Sequence, residues 1–179
     1  EANIASQVLL KLDDYLEELK AITVGDLRPS TYAEIVTLGE SMSTYMISAY
    51  LNHAGLSNVL LDAKEFMYVG QVENPSIATV SEKLQPILVQ NPSQIYITQG
   101  FVCRDEQGTV TTLKRGGSDF SATIIGAAVD ASEVQIWTDI DGLHNNDPRY
   151  VDGTKPIDHL TYNEAAELAY FGAKILHPQ

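Results

Sequence analysis

A short stretch in the second half of the chain combines two cations, two glycines and a carboxylate at a spacing suited to anion binding. It consists of Lys114, Arg115, Gly116, Gly117, Ser118 and Asp119. Backbone N–H groups and the dipole at a helix N-terminus attract an anion, and Arg115 can pair with a carboxylate or a phosphate through two parallel hydrogen bonds. The stretch is not a Walker A loop, because no Gly-Lys-Ser/Thr sequence ends it. Taken alone, a Gly-Gly turn with a capping serine is an equal alternative.

Polar side chains also follow the predicted strand 134–138. Thr138 and Asp139 stand where this strand ends, and ligands of open α/β sheets collect at the carboxyl ends of strands. Asp139 could bind a ribose hydroxyl or make a structural hydrogen bond, and its position alone favours the structural role. Lys174 follows a predicted helix, where a lysine usually balances the helix dipole at the surface.

Gly39 and Glu40 lie in the middle of a predicted helix. A glycine in a helix interior costs about 1 kcal/mol relative to alanine. Gly39 therefore indicates the close approach of backbone or of a ligand beside the Glu40 carboxylate, or a close contact between helices.

The first part of the chain has the spacing of two helices. Apolar residues at helical intervals predict a helix over residues 4–20. Thr31 and Glu34 form a T-x-x-E capping box, which predicts a helix to about His53 with Gly55 just past its end. The buried stripe of this helix should comprise Ile35, Leu38, Met42, Tyr45, Met46 and Ala49.

Short apolar runs bounded by turn residues predict the strands. They cover residues 59–61, 95–98 and 134–138, and residues 101–113 are predicted to form a hairpin that turns at 106–108. Residues 76–90 are ambiguous, because Pro86 would interrupt a helix there. Helices that alternate with such strands indicate an α/β fold with a largely parallel sheet.

Two more helices are predicted from their N-terminal residues. Ser118 should cap a helix that runs to about Val129 and is apolar almost all round, which predicts that this helix is buried. Thr161 and Glu164 form a second capping box, and the helix that they open should end near Gly172.

The charge and composition exclude several classes of protein. The 179 residues carry a formal net charge of −13, which argues against a nucleic-acid surface, because phosphate neutralisation needs a basic face. No apolar run approaches the ~20 residues that span a bilayer. The single cysteine, Cys103, excludes an internal disulfide and favours a cytoplasmic location, and we expect an inert, packed thiol there.

Six motifs, in order along the chain, resemble those of the aspartokinase family. They are TLGES, TQGF, TTLKRGGSDF, WTDIDG, NDPR and FGAKILHP, and they cover the chain from about Thr31 to its end. The resemblance implies one partial catalytic domain over residues 1–179, with the three-layer α/β sandwich of the amino-acid kinases around a largely parallel sheet, incomplete here. Residues 1–30 match only as a variable helical segment.

The resemblance assigns the amino-acid side of the site to the first three motifs. The substrate-binding set would be Glu40, Phe101, Arg115, Gly116, Gly117 and Ser118. Arg115 would hold a carboxylate of aspartate, Glu40 would receive its ammonium group, and Phe101 would form the apolar wall of the pocket. Asp119 would be the catalytic residue, which organises the catalytic lysine and the transferred phosphoryl group. Lys114 replaces the usual glycine of the family, which leaves the arginine in place and affects only the turn before it.

The last three motifs would bind ATP, with Mg²⁺ bound through the phosphates. The nucleotide-binding set would be Thr138, Asp139, His144, Arg149, Lys174 and Ile175. Arg149 would reach the ATP phosphates. His144 stands where the family often has tyrosine, and its ring would stack on or near the adenine. The resemblance assigns no residue of this chain as a metal ligand.

The implied activity is the phosphorylation of the side-chain carboxylate of L-aspartate by ATP, the first step of lysine, threonine and methionine biosynthesis. The catalytic lysine of the family belongs to an N-terminal K-F-G-G-T/S motif that this sequence does not contain, so we expect the chain alone to be inactive. A homodimer or higher homo-oligomer is expected. Two alternatives stay open: another kinase of this fold, acting on glutamate, acetylglutamate or a nucleoside monophosphate, and a non-catalytic nucleotide-binding fragment.

Overall fold

The computed structural model describes residues 2–70, 74–114, 116–138 and 141–171. The chain divides into two compact units, Glu1–Ser132 and Glu133–Gln179. The helices of the first unit are α1 (Ala2–Val24), α2 (Thr31–His53), α3 (Ile77–Gln90) and α4 (Gly117–Ala128). Its strands are β1 (Val59–Leu60), β2 (Tyr96–Ile97), β3 (Val102–Arg104) and β4 (Val110–Thr112), and a short 3₁₀ helix covers Ala63–Glu65. The second unit contains helix α5 (Tyr162–Phe171).

A parallel strand pair and an antiparallel hairpin form the described sheet structure. β1 and β2 run parallel, with Val59 opposite Tyr96, and α3 lies in the crossover that joins them, as a parallel pair requires. β3 and β4 form the hairpin, which turns through Gly108 at a φ of 80°. The structure confirms the strands and hairpin predicted at 59–61, 95–98 and 101–113.

The core of the first unit lies around α3, α4 and the strands. Its buried members are Leu61, Ala63, Phe66, Met67, Val69, Val80, Leu84, Val102, Cys103, Leu113, Ile124 and Ala128. Burial, with a smaller contribution from the charge of Asp105, raises the pKa of the Cys103 thiol to about 12. A thiol with that pKa carries almost no thiolate near neutral pH, so the expectation of an inert, packed cysteine is confirmed.

Helix α2 buries a stripe of small polar residues in place of the predicted apolar stripe. Thr37, Thr44 and Ser48 are buried beside Leu38, whereas Met46 is exposed. The other predicted members, Ile35, Met42, Tyr45 and Ala49, are half-buried. The buried threonine hydroxyls donate to carbonyl groups of the preceding turn, so their burial leaves no hydroxyl unsatisfied. An apolar pattern alone could not show this.

The N-terminus of α2 differs from the predicted capping box. The hydroxyl of Ser30 donates to the Glu34 carboxylate at 2.9 Å, and Arg28 pairs with the same carboxylate at 2.7 Å. The Thr31 hydroxyl accepts a hydrogen bond from the backbone N–H of Arg28. Because the Glu34 carboxylate and the Thr31 hydroxyl have these other partners, they do not form the reciprocal hydrogen bonds of a capping box with each other's backbone N–H groups. The C-terminus is as predicted, because Gly55 follows the helix with a φ of 85°.

Helix α3 runs through Pro86, so the prediction that this proline would interrupt a helix is wrong. Proline removes one backbone N–H and crowds the preceding turn. Against that cost, the helix buries Val80 and Leu84 in the core, and the Ser76 hydroxyl accepts from the N–H of Thr79 at the N-terminus. Tertiary packing therefore outweighs the local preference.

The strand predicted at residues 134–138 is not formed. Trp137 in this segment is 88% exposed, and no described strand pairs with it. Alternating apolar residues favour a strand only when a neighbouring strand and a core cover them.

Helix α4 begins one residue earlier than its predicted cap. Gly116 occupies the N-cap position with a φ of 75°, and Ser118 lies inside the first turn. The helix is also not buried all round, since Thr123 and Ala127 are exposed. The prediction of a helix buried all round is therefore wrong for this structure.

Helix α5 begins with the predicted capping box. The N–H of Thr161 donates to the Glu164 carboxylate at 2.8 Å, and the N–H of Glu164 donates to the Thr161 hydroxyl at 3.3 Å. The predicted end at Gly172 lies outside the described residues. Among the described helices, none is both long and apolar enough to span a bilayer.

Candidate active site

A cavity of about 300 Å³ lies at the N-terminus of α4. The described residues that line it are Phe101, Lys114, Gly116, Gly117, Ser118 and Asp119. The motifs TQGF and KRGGSD, which are separate in the sequence, therefore meet at one place. A helix N-terminus presents N–H groups without helical partners and the positive end of the helix dipole. The cavity is thus suited to an anionic group.

Three residues around the cavity have left-handed backbone conformations. The φ angle is 49° at Phe101, 62° at Lys114 and 75° at Gly116. These angles are unfavourable for residues other than glycine. Lys114, where the resemblance leads one to expect glycine, therefore adopts a backbone conformation that suits glycine.

Two loops meet at the cavity through glycines. A Cβ atom on Gly117 would lie 2.7 Å from the Cβ of Phe101 and 2.9 Å from the Cβ of Leu113. A Cβ atom on Gly100 would lie 2.7 Å from the hydroxyl oxygen of Ser118. Non-bonded carbon and oxygen atoms do not pack at such distances. Glycine at both positions therefore allows residues 98–101, which we call the TQGF corner, to lie against the first turn of α4.

A buried serine that the sequence analysis missed lies behind these glycines. Ser121 is 2% exposed. Its hydroxyl accepts a hydrogen bond from the N–H of Phe101 at 2.9 Å and donates to the carbonyl of Gly117 at 2.8 Å. The only signal in the sequence was a polar residue on a helix that was otherwise expected to be buried.

Gln99, also missed, connects α2 to the same corner. Its side chain is buried; the amide nitrogen donates to the Thr44 hydroxyl at 2.9 Å, and the amide oxygen accepts from the N–H of Ala63 at 2.8 Å. Thr44 in turn donates to the carbonyl of Glu40. Glu40 therefore lies one helical turn from a buried network next to Gly100. It is not among the described residues that line the cavity.

Gly39, the neighbour of Glu40, has open space around it. A Cβ atom built there would meet no heavy atom within 4 Å, and the residue is exposed. Close packing between helices or backbones does not explain this glycine. The approach of a ligand beside Glu40 stays a prediction.

The second unit holds the remaining predicted site residues that the structure describes, Thr138, His144 and Arg149. Thr138 is exposed and His144 is buried. The His144 ring nitrogens lie 2.6 Å from the Asp141 carboxylate and 3.0 Å from the Thr154 hydroxyl, and the bond to His144 lowers the pKa of Asp141. The imidazole therefore holds its own loop together, and its contact with adenine stays a prediction.

Arg149 is held by Asp147 through two parallel hydrogen bonds. The guanidinium nitrogens Nε and Nη2 lie 3.0 and 2.8 Å from the two carboxylate oxygens. The side chain of Asp147 is 6% exposed and that of Arg149 is 61% exposed. The buried carboxylate thus fixes the direction of a guanidinium at the surface, which suits an anionic ligand.

Four predicted site residues lie outside the described residues: Arg115, Asp139, Lys174 and Ile175. Within the described ranges, no group of three His, Cys, Asp or Glu side chains could hold a metal ion. The described residues therefore do not form a metal-binding cage.

Comparison with known proteins places the two units in one family. The model of the amino acid kinase family matches residues 5–179. The chain belongs to the amino acid kinase family. The match includes the residues of the cavity and those of the Arg149 loop. Both therefore come from one region of amino-acid-kinase sequence.

Similar proteins within this family are aspartokinases. The chain is 38% identical over 192 residues to aspartokinase 1, chloroplastic, of Arabidopsis thaliana, which covers 100% of this chain and 33% of that protein. It is 39% identical over 155 residues to lysine-sensitive aspartokinase 3 of Escherichia coli, which covers 84% of this chain and 34% of that protein. The chain spans about a third of the length of these curated relatives.

Solved structures of aspartokinases share the fold of this chain. Aspartokinase III of Escherichia coli, in complex with aspartate and ADP, has a TM-score of 0.86 at 35% identity and covers 96% of this chain and 40% of that chain. The aspartate kinase of Clostridium acetobutylicum has a TM-score of 0.76 at 30% identity, over 93% of this chain and 36% of that chain. The predicted amino-acid-kinase α/β fold is thus confirmed, and the described strands are part of it.

Proposed function

We propose that this member of the amino acid kinase family forms part of an aspartate kinase. The reaction transfers the γ-phosphoryl group of ATP to the side-chain carboxylate of L-aspartate and gives 4-phospho-L-aspartate and ADP. A carboxylate oxygen attacks the γ-phosphorus while the bond to the β,γ-bridging oxygen breaks. The cavity at the N-terminus of α4 carries the proposal, because it brings Phe101 together with the KRGGSD motif in a fold shared with aspartate-binding aspartokinase III.

The charges around the cavity complement a dicarboxylic amino acid. The N-terminus of α4 and the neighbouring Lys114 supply positive potential for a carboxylate, and Arg115 follows Lys114 directly in the sequence. Glu40 would receive the ammonium group, and the open space at Gly39 leaves room for a ligand to approach. Phe101 would contact the apolar side of the substrate.

Asp119 is the proposed catalytic residue. It lies in the first turn of α4, lines the cavity and is half-buried. Phosphoryl transfer depends on positioning and on neutralising charge, with little covalent chemistry for the protein to do. A carboxylate at this position would orient the cations around the transferred group, and no covalent enzyme intermediate is required.

We assign ATP binding to residues of the second unit. The proposed set remains Thr138, Asp139, His144, Arg149, Lys174 and Ile175. The support is the guanidinium of Arg149, which Asp147 fixes in direction at the surface. Mg²⁺ would be bound through the ATP phosphates and would neutralise their charge.

The metabolic role would be the first step toward lysine, threonine and methionine. One relative is described as a lysine-sensitive aspartokinase, which fits an enzyme of lysine supply. A cytoplasmic location and a homo-oligomeric state complete the proposal. Cell fractionation would test the location, because relatives include chloroplastic enzymes.

A panel of acceptors, assayed with the full-length enzyme that contains this chain, tests the proposal. ADP release is measured with L-aspartate, L-glutamate, N-acetyl-L-glutamate and UMP. We expect turnover with L-aspartate at an ordinary kinase rate of ~1–100 s⁻¹ and at most about a hundredth of it with the others. Turnover that is faster with any of the other three acceptors than with L-aspartate would contradict the proposal.

The 179-residue chain, tested alone in the same assay, is expected to release no ADP. The transfer needs a cation at the β- and γ-phosphates, and the sequence lacks the lysine motif that supplies it in the family. Turnover of L-aspartate by the chain alone would show that other residues provide this charge.

A further inference from the structure

We propose that Ser121 is a positioning residue that holds Phe101 in the shape required by the amino-acid pocket. The expected effect of Ser121 on enzyme kinetics rests on the proposed function. Its expected effect on the structure rests on the hydrogen bonds of the chain alone. Ser121 itself is not among the residues that line the cavity. It would act through the backbone of Phe101, which does line it.

The hydrogen bonds of Ser121 differ from those of an ordinary helical serine. A serine inside a helix often donates to the carbonyl four residues earlier, and Ser121 does so to Gly117 at 2.8 Å. Its oxygen also accepts the backbone N–H of Phe101, twenty residues away in the sequence, at 2.9 Å. One hydroxyl therefore joins the TQGF corner to the first turn of α4.

Phe101 requires such a partner because its backbone is in an unfavourable conformation. Its φ of 49° lies in the left-handed region, which residues with a Cβ atom avoid. The carbonyl of Phe101 accepts from the N–H of Leu113 at 2.8 Å, so the hairpin fixes one side of the residue. Ser121 fixes the other side, and both polar groups of the Phe101 backbone are satisfied.

The packing around the corner makes the wall of the cavity sensitive to small movements. The Cβ of Phe101 lies against the Cα of Gly117, where no additional carbon atom would fit. Gly100 lies equally close to Ser118. If the bond from Ser121 is lost, the corner can relax only by moving away from α4, which would change the pocket. A displacement of about 1 Å can cost on the order of 100-fold in rate.

Hydrogen exchange in the 179-residue chain tests the structural part. Ser121→Ala is compared with Thr123→Ala, which removes an exposed hydroxyl whose partner among the described residues is the carbonyl of Phe120 within α4. In Ser121→Ala, we expect the amide of Phe101 to exchange at least ~10-fold faster, with the amide of Leu84 in α3 changed by less than about twofold. In Thr123→Ala, neither amide should change by more than about twofold.

Two results would overturn the structural part. If the Phe101 amide exchanges at the wild-type rate in Ser121→Ala, the hydroxyl does not protect it. If the exchange rates of the Phe101 and Leu84 amides rise equally, Ser121 stabilises the whole unit and does not act specifically on Phe101. Neither result depends on whether the parent enzyme uses aspartate.

Steady-state kinetics of the same variants in the full-length enzyme test the consequence for the substrate. Ser121→Ala should raise the KM for L-aspartate about tenfold or more, while the KM for ATP changes by less than about twofold. A serine with only a structural role would lower the amount of active enzyme and leave both KM values unchanged, and that result would overturn the positioning role. If the wild-type enzyme shows no aspartate turnover, the proposed function fails instead, and the exchange result stands.

Discussion

At the scale of single residues, Lys114 shows how the cavity departs from ordinary backbone preferences. It lines the cavity and has a φ of 62°. A left-handed conformation costs a residue with a Cβ atom about 1–2 kcal/mol. Strain of this kind persists where the surrounding structure imposes it, and it concentrates at functional sites.

Lys114→Gly should therefore stabilise the chain, by about 0.5–1 kcal/mol once the greater freedom of glycine in the unfolded chain is subtracted. Urea unfolding, followed by circular dichroism, would measure the change. Lys114→Ala is the matched control, because alanine removes the long side chain but keeps the unfavourable conformation. If alanine stabilises the chain as much as glycine, backbone strain is not the cause.

Gly117 allows a second prediction, because its lack of a side chain brings Phe101 and Leu113 against α4. Gly117→Ala should lower the free energy of unfolding by about 1–3 kcal/mol, as expected when a carbon atom is forced into close packing. The control is Gly39→Ala in the interior of α2, where a Cβ would meet nothing within 4 Å; it should raise stability by about 0.5–1 kcal/mol. If urea unfolding shows that both substitutions change the free energy of unfolding in the same direction, close packing at Gly117 is not the cause.

At the scale of helices and strands, the features that were predicted from the sequence have a local cause, although the N-termini of α2 and α4 show that local patterns can also mislead. The α5 capping box, the left-handed Gly55 and the hairpin turn at Gly108 depend on residues a few positions apart. Features decided by distant partners were not predictable. Helix α3 continues through Pro86 because of core contacts, and the segment containing Trp137 forms no strand despite its apolar pattern.

The capping box of α5 should respond to acid. Hydrogen bonds from the backbone and the hydroxyl of Thr161 lower the pKa of Glu164. A carboxyl group whose pKa is lower in the folded state stabilises that state above its unfolded pKa, and this contribution is lost as the pH falls through the folded value. The start of α5 should therefore stay intact at neutral pH and loosen only at a pH below the ordinary pKa of glutamate.

The NMR shift of the Thr161 amide, followed from pH 7 to pH 2, would report this titration. We expect a midpoint below the ordinary value of glutamate, about 4.3. In Glu164→Gln the amide shift should lose the transition. A midpoint at or above the ordinary value would mean that the capping bond does not persist in solution.

At the scale of the whole chain, the predicted site residues divide between two units. The residues around the α4 cavity belong to the first unit, and Thr138, His144 and Arg149 belong to the second. The motifs predicted which residues carry the chemistry, and the structure places Phe101 at one cavity with the described residues of the KRGGSD motif. The sequence could not reveal Ser121 or Gln99, because their partners Phe101 and Thr44 lie 20 and 55 residues away.

In the proposed function, the cavity at the N-terminus of α4 is where an aspartate kinase performs its reaction, with Asp119 as the catalytic residue. Asp119→Asn is nearly isosteric, and the lost charge in the first turn of α4 should cost no more than about 1 kcal/mol of helix-dipole stabilisation, so the variant should keep its fold. The loss of a negative charge near the transferred phosphoryl group should weaken mainly the stabilisation of the transition state, and should leave the binding of both substrates nearly unchanged.

Steady-state kinetics and thermal melting of the full-length Asp119→Asn enzyme, measured on one preparation, test this role of Asp119. We expect kcat to fall by about 100-fold or more, with the KM values for aspartate and ATP changed by less than about threefold and the melting temperature lowered by no more than about 4 °C. An unchanged kcat would rule out the catalytic role, because Asp119 would then contribute only to the N-terminus of α4.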